Sequence, residues 1–141
     1  MRIRRVPCIS AVLLIGSSAI AQSSNGFSLG QQVITKSVNG VKCIYAVDLD
    51  GDGDADVLSA SANDDKIAWY ENLGPRRPGR FGEQQVLTGP AGSATSANGA
   101  NSVYAVDLDG DGDADVLSAS GSDHKIAWYE NLTVNRGGSA S

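Results

Sequence analysis

The stretch Tyr45–Leu73, YAVDLDGDGDADVLSASANDDKIAWYENL, recurs as Tyr104–Leu132, YAVDLDGDGDADVLSASGSDHKIAWYENL. The copies lie 59 residues apart and differ at three positions only: Ala62/Gly121, Asn63/Ser122 and Asp65/His124. A weaker match precedes each copy, since Phe27–Thr35 (FSLGQQVIT) resembles Phe81–Thr88 (FGEQQVLT). A fixed period of this size constrains the fold more than any other feature. It calls for stacked supersecondary units that bury their faces against one another.

Each unit reads as β-structure. Ile44-Tyr45-Ala46-Val47 is a short strand running into an acidic loop, and Val57–Ser61 is a second strand. Lys66–Leu73 is a third, with Ile67 and Trp69 on one face and Ala68 and Tyr70 on the other. Asn63-Asp64-Asp65 and Ser122-Asp123-His124 are turn chemistry between the second and third strands. Gln84–Thr88 is a fourth strand, preceded by a Pro/Gly/Arg segment, 74–80, that no regular element crosses intact. Residues 89–101 are rich in Gly, Ala, Ser and Asn and read as an exposed loop. No segment after the first twenty-one residues has helical periodicity. The expected fold class is all-β: two β-propeller blades of four antiparallel strands each, a partial propeller, with Trp69 and Trp128 as core residues between blades.

The acidic loops have their own logic. Asp occupies alternate positions in Asp48, Asp50, Asp52, Asp54 and Asp56, and again in Asp107, Asp109, Asp111, Asp113 and Asp115. Gly51, Gly53, Gly110 and Gly112 permit the positive φ that a sharp reversal needs. Carboxylates brought together by such a loop repel one another, by roughly 1 kcal/mol per pair at about 4 Å even in water. A cation relieves that repulsion. Calcium takes about six to eight oxygen ligands, whereas magnesium keeps several waters and uses fewer carboxylates, so two calcium sites are expected. Position 7 of such a loop contributes its main-chain carbonyl, here Asp54 or Asp113.

The flanks narrow the family. An EF-hand needs a helix on each side and Glu at position 12, where this chain has Ser59 or Ser118. The sequence VYAVDLDGDGDADVLSAS, followed by KIAWYENL and, after the first copy, by Phe81-Gly82, resembles the FG-GAP repeats of integrin α-subunit propellers and their bacterial VCBS-type relatives. The resemblance covers about residues 27–132. It implies a calcium-bearing loop between the first two strands of each blade, with Asp48, Asp50, Asp52, Asp56 and the Asp54 carbonyl as ligands, and their equivalents in the second copy.

The N-terminus reads as a secretory signal: Arg2, Arg4 and Arg5, then Val12-Leu13-Leu14-Ile15, then Ala19-Ile20-Ala21. The expected organisation is therefore a signal peptide (1–21), an N-terminal strand and linker (22–42), repeat 1 (43–88), a loop (89–101), repeat 2 (102–132) and an unstructured tail (133–141). Removing the three signal arginines takes the formal net charge from −5 to −8. Ten of the sixteen acidic residues sit in the two loops, so nucleic acid is a poor partner. No further apolar run is long enough to span a bilayer, and a secreted or periplasmic location follows. Cys43 is alone once Cys8 leaves with the signal, so it reads as a buried, inert thiol. Asn131-Leu132-Thr133 matches a glycosylation acceptor, which matters only in a eukaryotic secretory pathway.

Two repeats are fewer than a closed propeller uses. The segment Gln31–Thr35 reads as a spare strand able to complete the second blade in the same chain or in a neighbour, so the chain is expected either to be a fragment of a longer propeller or to assemble as a homo-oligomer that completes one. Neither His124, in a turn, nor the strand serines form a catalytic constellation, so no enzyme is expected. The reading is a secreted calcium-binding module for an extracellular protein or glycan. The alternative is an accessory or truncated part of a larger secreted enzyme.

Overall fold

A computed structural model describes residues 31–74, 80–90 and 92–133. The expected signal peptide, most of the Pro/Arg connector and the tail from 134 onward lie outside them. The described residues from Val33 onward belong to one compact unit.

Seven strands follow in order: β1 (Val41–Val47), β2 (Asp56–Ser61), β3 (Lys66–Tyr70), β4 (Gln85–Val86), β5 (Ala100–Val106), β6 (Asp115–Ser120) and β7 (Lys125–Tyr129). They form two antiparallel sheets, β1-β2-β3-β4 and β5-β6-β7. Among the described residues there is no helix.

The period-2 alternation fixes the register. Leu58 pairs with Trp69 and Ala60 with Ile67 on one face of the first sheet, while Val57–Tyr70 and Ser59–Ala68 pairs form the other. The second sheet repeats this with Leu117–Trp128 and Ala119–Ile126. The β2–β3 and β6–β7 turns close with Asp65 and His124 in left-handed conformation, at φ 57° and 56°. Asp and His enter that region more readily than most side chains. Each first strand also shifts register once, between Val41 and Cys43 and between Ala100 and Ser102.

The core lies between the two sheets. Leu49, Leu58, Ala60 and Ile67 of the first repeat pack with Ala97, Ala100, Val103, Ala105 and Val116. The half-buried Cys43 thiol faces the Val103 carbonyl at 3.7 Å. The Tyr45 and Tyr104 rings meet with centroids 4.8 Å apart.

Four expectations need correction. Trp69 is half-buried in the seam, but Trp128 is 47% exposed, because among the described residues no third layer covers the outer face of the second sheet. The fourth strand of the first sheet is only Gln85–Val86, although Leu87 N–H still donates to the Ile67 carbonyl at 2.9 Å. Gln31–Thr35, expected to form a strand, lie in none, and among the described residues β7 has β6 as its one neighbour. The loop before β5 is not wholly exposed: Gly89 N–H donates to Thr95 C=O, pinching off residues 90–95, and Ser96 and Ala97 beyond the pinch are buried.

Candidate metal centre

Both acidic loops connect the first and second strands of their sheets, β1 to β2 and β5 to β6. They are folded bond for bond alike. Asp48 Oδ1 accepts the Gly51 N–H at 2.9 Å and Oδ2 accepts the Gly53 N–H at 3.0 Å. Asp50 accepts the Asp52 N–H at 3.2 Å, and Asp52 accepts the Asp54 N–H at 2.8 Å. The second loop reproduces these bonds with Asp107, Asp109 and Asp111. Alternate aspartates thus curl the chain through successive Asx turns. Gly51 and Gly53 take φ of 75° and 91°, and Gly110 and Gly112 take 86° and 100°, as the sequence required.

The curl brings three carboxylates of each loop together. Asp48, Asp50 and Asp56 place oxygens within 4.8 Å of one another, as do Asp107, Asp109 and Asp115. The carboxylates of Asp52 and Asp111 are not part of these triads, and Asp54 and Asp113 are expected to contribute main-chain carbonyls, which a grouping of carboxylates does not address.

Asp56 and Asp115 are almost fully buried. Asp56 Oδ2 accepts the Leu49 N–H at 3.1 Å and Oδ1 the Asn72 N–H at 2.7 Å. Asp115 likewise accepts from Leu108 at 3.2 Å and Asn131 at 2.8 Å. Each of these carboxylates joins its loop to the chain just past the third strand. Asn72 completes the latch by donating its side-chain N–H to the Ala55 carbonyl at 2.9 Å. Asn131 does the same to the Ala114 carbonyl at 3.1 Å, and reaches across the seam to the Leu49 carbonyl at 2.8 Å. Sequence reasoning missed both asparagines as parts of the site, although their recurrence in the ENL tripeptide marked them. The Asn131 amide is committed to these bonds, which argues against its glycosylation in the folded chain.

The electrostatics differ between loops. Burial raises the Asp50 carboxyl above its ordinary value, and the neighbouring charges of Asp56, Asp52 and Glu71 add to this against the Asp52 N–H. The Asp115 carboxyl is lowered, chiefly by the Asn131 N–H and further by the Leu108 N–H, against its burial. Leu49 in the first loop is 8% exposed and Leu108 in the second 50%, because the second repeat covers the first loop. Clustered carboxylates of this kind supply the hard oxygen donors that a divalent cation such as Ca²⁺ or Mg²⁺ accepts. The residues present therefore fit a metal ion.

A family model described as FG-GAP-like repeat matches residues 48–118, half of the chain, and begins at the first aspartate of the first loop. No curated protein and no solved structure matches the chain. Among the described residues no helix is long and apolar enough to cross a membrane.

Proposed function

Because this chain belongs to the FG-GAP-like repeat family, we propose that it is a calcium-braced β-repeat module that works by binding rather than by catalysis. The observation that carries this reading is the duplicated triad, in which a buried carboxylate tied to the sheet meets two carboxylates from a turn. Asp48 and Asp50, with Asp107 and Asp109, would hold the ion from the loop. Asp56 and Asp115 would hold it from the sheet. The bound cation supplies positive charge that cancels carboxylate repulsion and cross-links loop to strand. Main-chain carbonyls and water complete its coordination. Calcium fits better than magnesium because three carboxylates at one point exceed what magnesium ordinarily takes.

A secreted or periplasmic location suits this chemistry, since calcium is abundant outside the cell, and the basic-then-apolar start of the sequence is its support. An extracellular protein or glycan is the class of ligand proposed for the exposed faces. Melting the protein in calcium and then in excess chelator tests the brace. A clear drop in Tm on chelation is expected, and equal melting in both would refute a structural ion.

A further inference from the structure

The two repeats are nearly identical, yet their faces have opposite environments. Ile67 is fully buried and its equivalent Ile126 is 84% exposed. On the opposite face the order reverses: Ile44 is 68% exposed and its equivalent Val103 only 3%. The internal seam is made by the Ile67 face of the first sheet and the Val103 face of the second. Among the described residues, one side therefore presents an uncovered counterpart of the first surface and the other an uncovered counterpart of the second, with Val38, Val41 and Ile44 where the seam has Ala97, Ala100 and Val103. These two faces are complementary because the same pair already packs inside the molecule.

The edge of the second sheet repeats the argument independently. In the first sheet β3 is covered by β4, drawn from Gln84-Gln85-Val86-Leu87-Thr88. In the second sheet β7 has no such strand among the described residues. The matching sequence, Gln31-Gln32-Val33-Ile34-Thr35, precedes the first repeat, and its Val33 and Ile34 are 53% and 39% exposed. The linkers that follow also correspond. With the pinched-off residues 90–95 set aside, Ser96-Ala97-Asn98-Gly99 matches Ser37-Val38-Asn39-Gly40. Asn98 and Asn39 donate their main-chain N–H to equivalent aspartates, Asp123 and Asp64. Each linker thus leads from a fourth strand into the next repeat, so Val33–Thr35 are placed to serve the repeat before the first one. A pocket of about 180 Å³ opens between the sheets beside that missing strand, lined by Trp69, Leu87, Tyr129 and Leu132 among others. The Trp69 indole N–H is buried without a hydrogen-bond partner.

We propose that the chain assembles head to tail with further copies of itself, the Ile126 face of one copy docking on the Ile44 face of the next, whose Val33–Thr35 segment adds to the open edge of β7. The seam copies the internal one. Tyr104 meets Tyr45 of a second copy as Tyr45 meets Tyr104 within the chain, and the Ile34 N–H takes the role of the Leu87 N–H. Two polar contacts change: Asp65 accepts the Gly99 N–H at 2.7 Å inside the chain and His124 takes its place at the new seam, while Ser102 replaces Cys43, whose thiol faces the Val103 carbonyl inside the chain. Such a heterologous contact repeats until rotation closes a ring. The inference does not depend on which ion the loops hold.

The test is solution mass of the purified protein in calcium-containing buffer, for wild type, Ile44→Glu and Ile126→Glu. Both substitutions lie at exposed positions, and circular dichroism checks that the fold is kept. Wild type is expected at a multiple of the single-chain mass, and each variant alone at the single-chain mass. A one-to-one mixture of the variants should give twice that mass and go no further, since each supplies the face the other lacks. Ile34→Pro, which removes one strand N–H and touches neither face, should weaken wild-type assembly at least tenfold; no change would overturn the strand addition. Wild type monomeric at every concentration would overturn the proposal. So would an oligomer that only one of the two glutamate variants disrupts, because that pattern belongs to a face packing on itself.

Discussion

Asp56 Oδ1 accepts the Asn72 main-chain N–H at 2.7 Å, joining the start of β2 to the end of the third-strand segment beneath the acidic loop. The other oxygen holds the Leu49 N–H, so a fully buried carboxylate is satisfied by two main-chain donors. Asp56→Asn turns one acceptor into a donor facing an N–H. Hydrogen bonds to charged groups are worth about 1.5–3 kcal/mol each, so a loss of roughly 2–4 kcal/mol in unfolding free energy is expected. Urea denaturation in the presence of chelator measures it without the contribution of an ion.

Asp50→Asn should act with opposite signs in the two metal states. Burial and the neighbouring Asp56 charge disfavour the Asp50 carboxylate in the metal-free protein. Neutralising it removes that repulsion, so Tm in chelator should rise slightly. The same substitution removes a ligand, so Tm in calcium should fall. Two melting curves per protein check this. A variant less stable than wild type in chelator would contradict the electrostatic account.

Acid should expose the second β-turn. The Asp123 carboxyl is held at about 2; burial opposes this, but the Ser120 hydroxyl, Lys125 at 3.0 Å and the Asn98 N–H outweigh it. A carboxyl lowered in the folded state adds stability above its unfolded value, near 4, and that stability disappears as pH falls toward 2. Wild type should therefore lose more stability than Asp123→Asn between pH 4 and pH 2. Parallel denaturation series at four or five pH values measure the difference.

Gly53→Ala isolates the backbone requirement of the loop. Gly53 sits at φ 91° with open space where a Cβ would project, so the substitution meets no clash. Only the left-handed conformation is penalised, by about 1–2 kcal/mol. Thermal melting should show a loss of this size in the absence of calcium.

Much of this was legible in the chain because it is written twice. The alternation of Ile67, Ala68, Trp69 and Tyr70 set the strand faces, and the Asp and Gly spacing set the loop with its positive-φ glycines. What the sequence did not disclose depends on contacts between distant residues. Asn72 and Asn131 donate their main-chain N–H to carboxylates, and their side-chain amides to carbonyls, 16 residues or more away, which no local pattern announces. Trp128 repeats Trp69 in sequence but lacks the covering layer that makes Trp69 a core residue. The Gln31–Thr35 segment carries a strand's sequence but pairs with no strand among the described residues.

Calcium titration by isothermal calorimetry tests the central claim most directly. The account predicts two ions bound per wild-type chain, one after Asp50→Asn, and none when Asp109→Asn is added. Absence of any calcium heat in the wild-type protein, or binding that survives both substitutions unchanged, would contradict it.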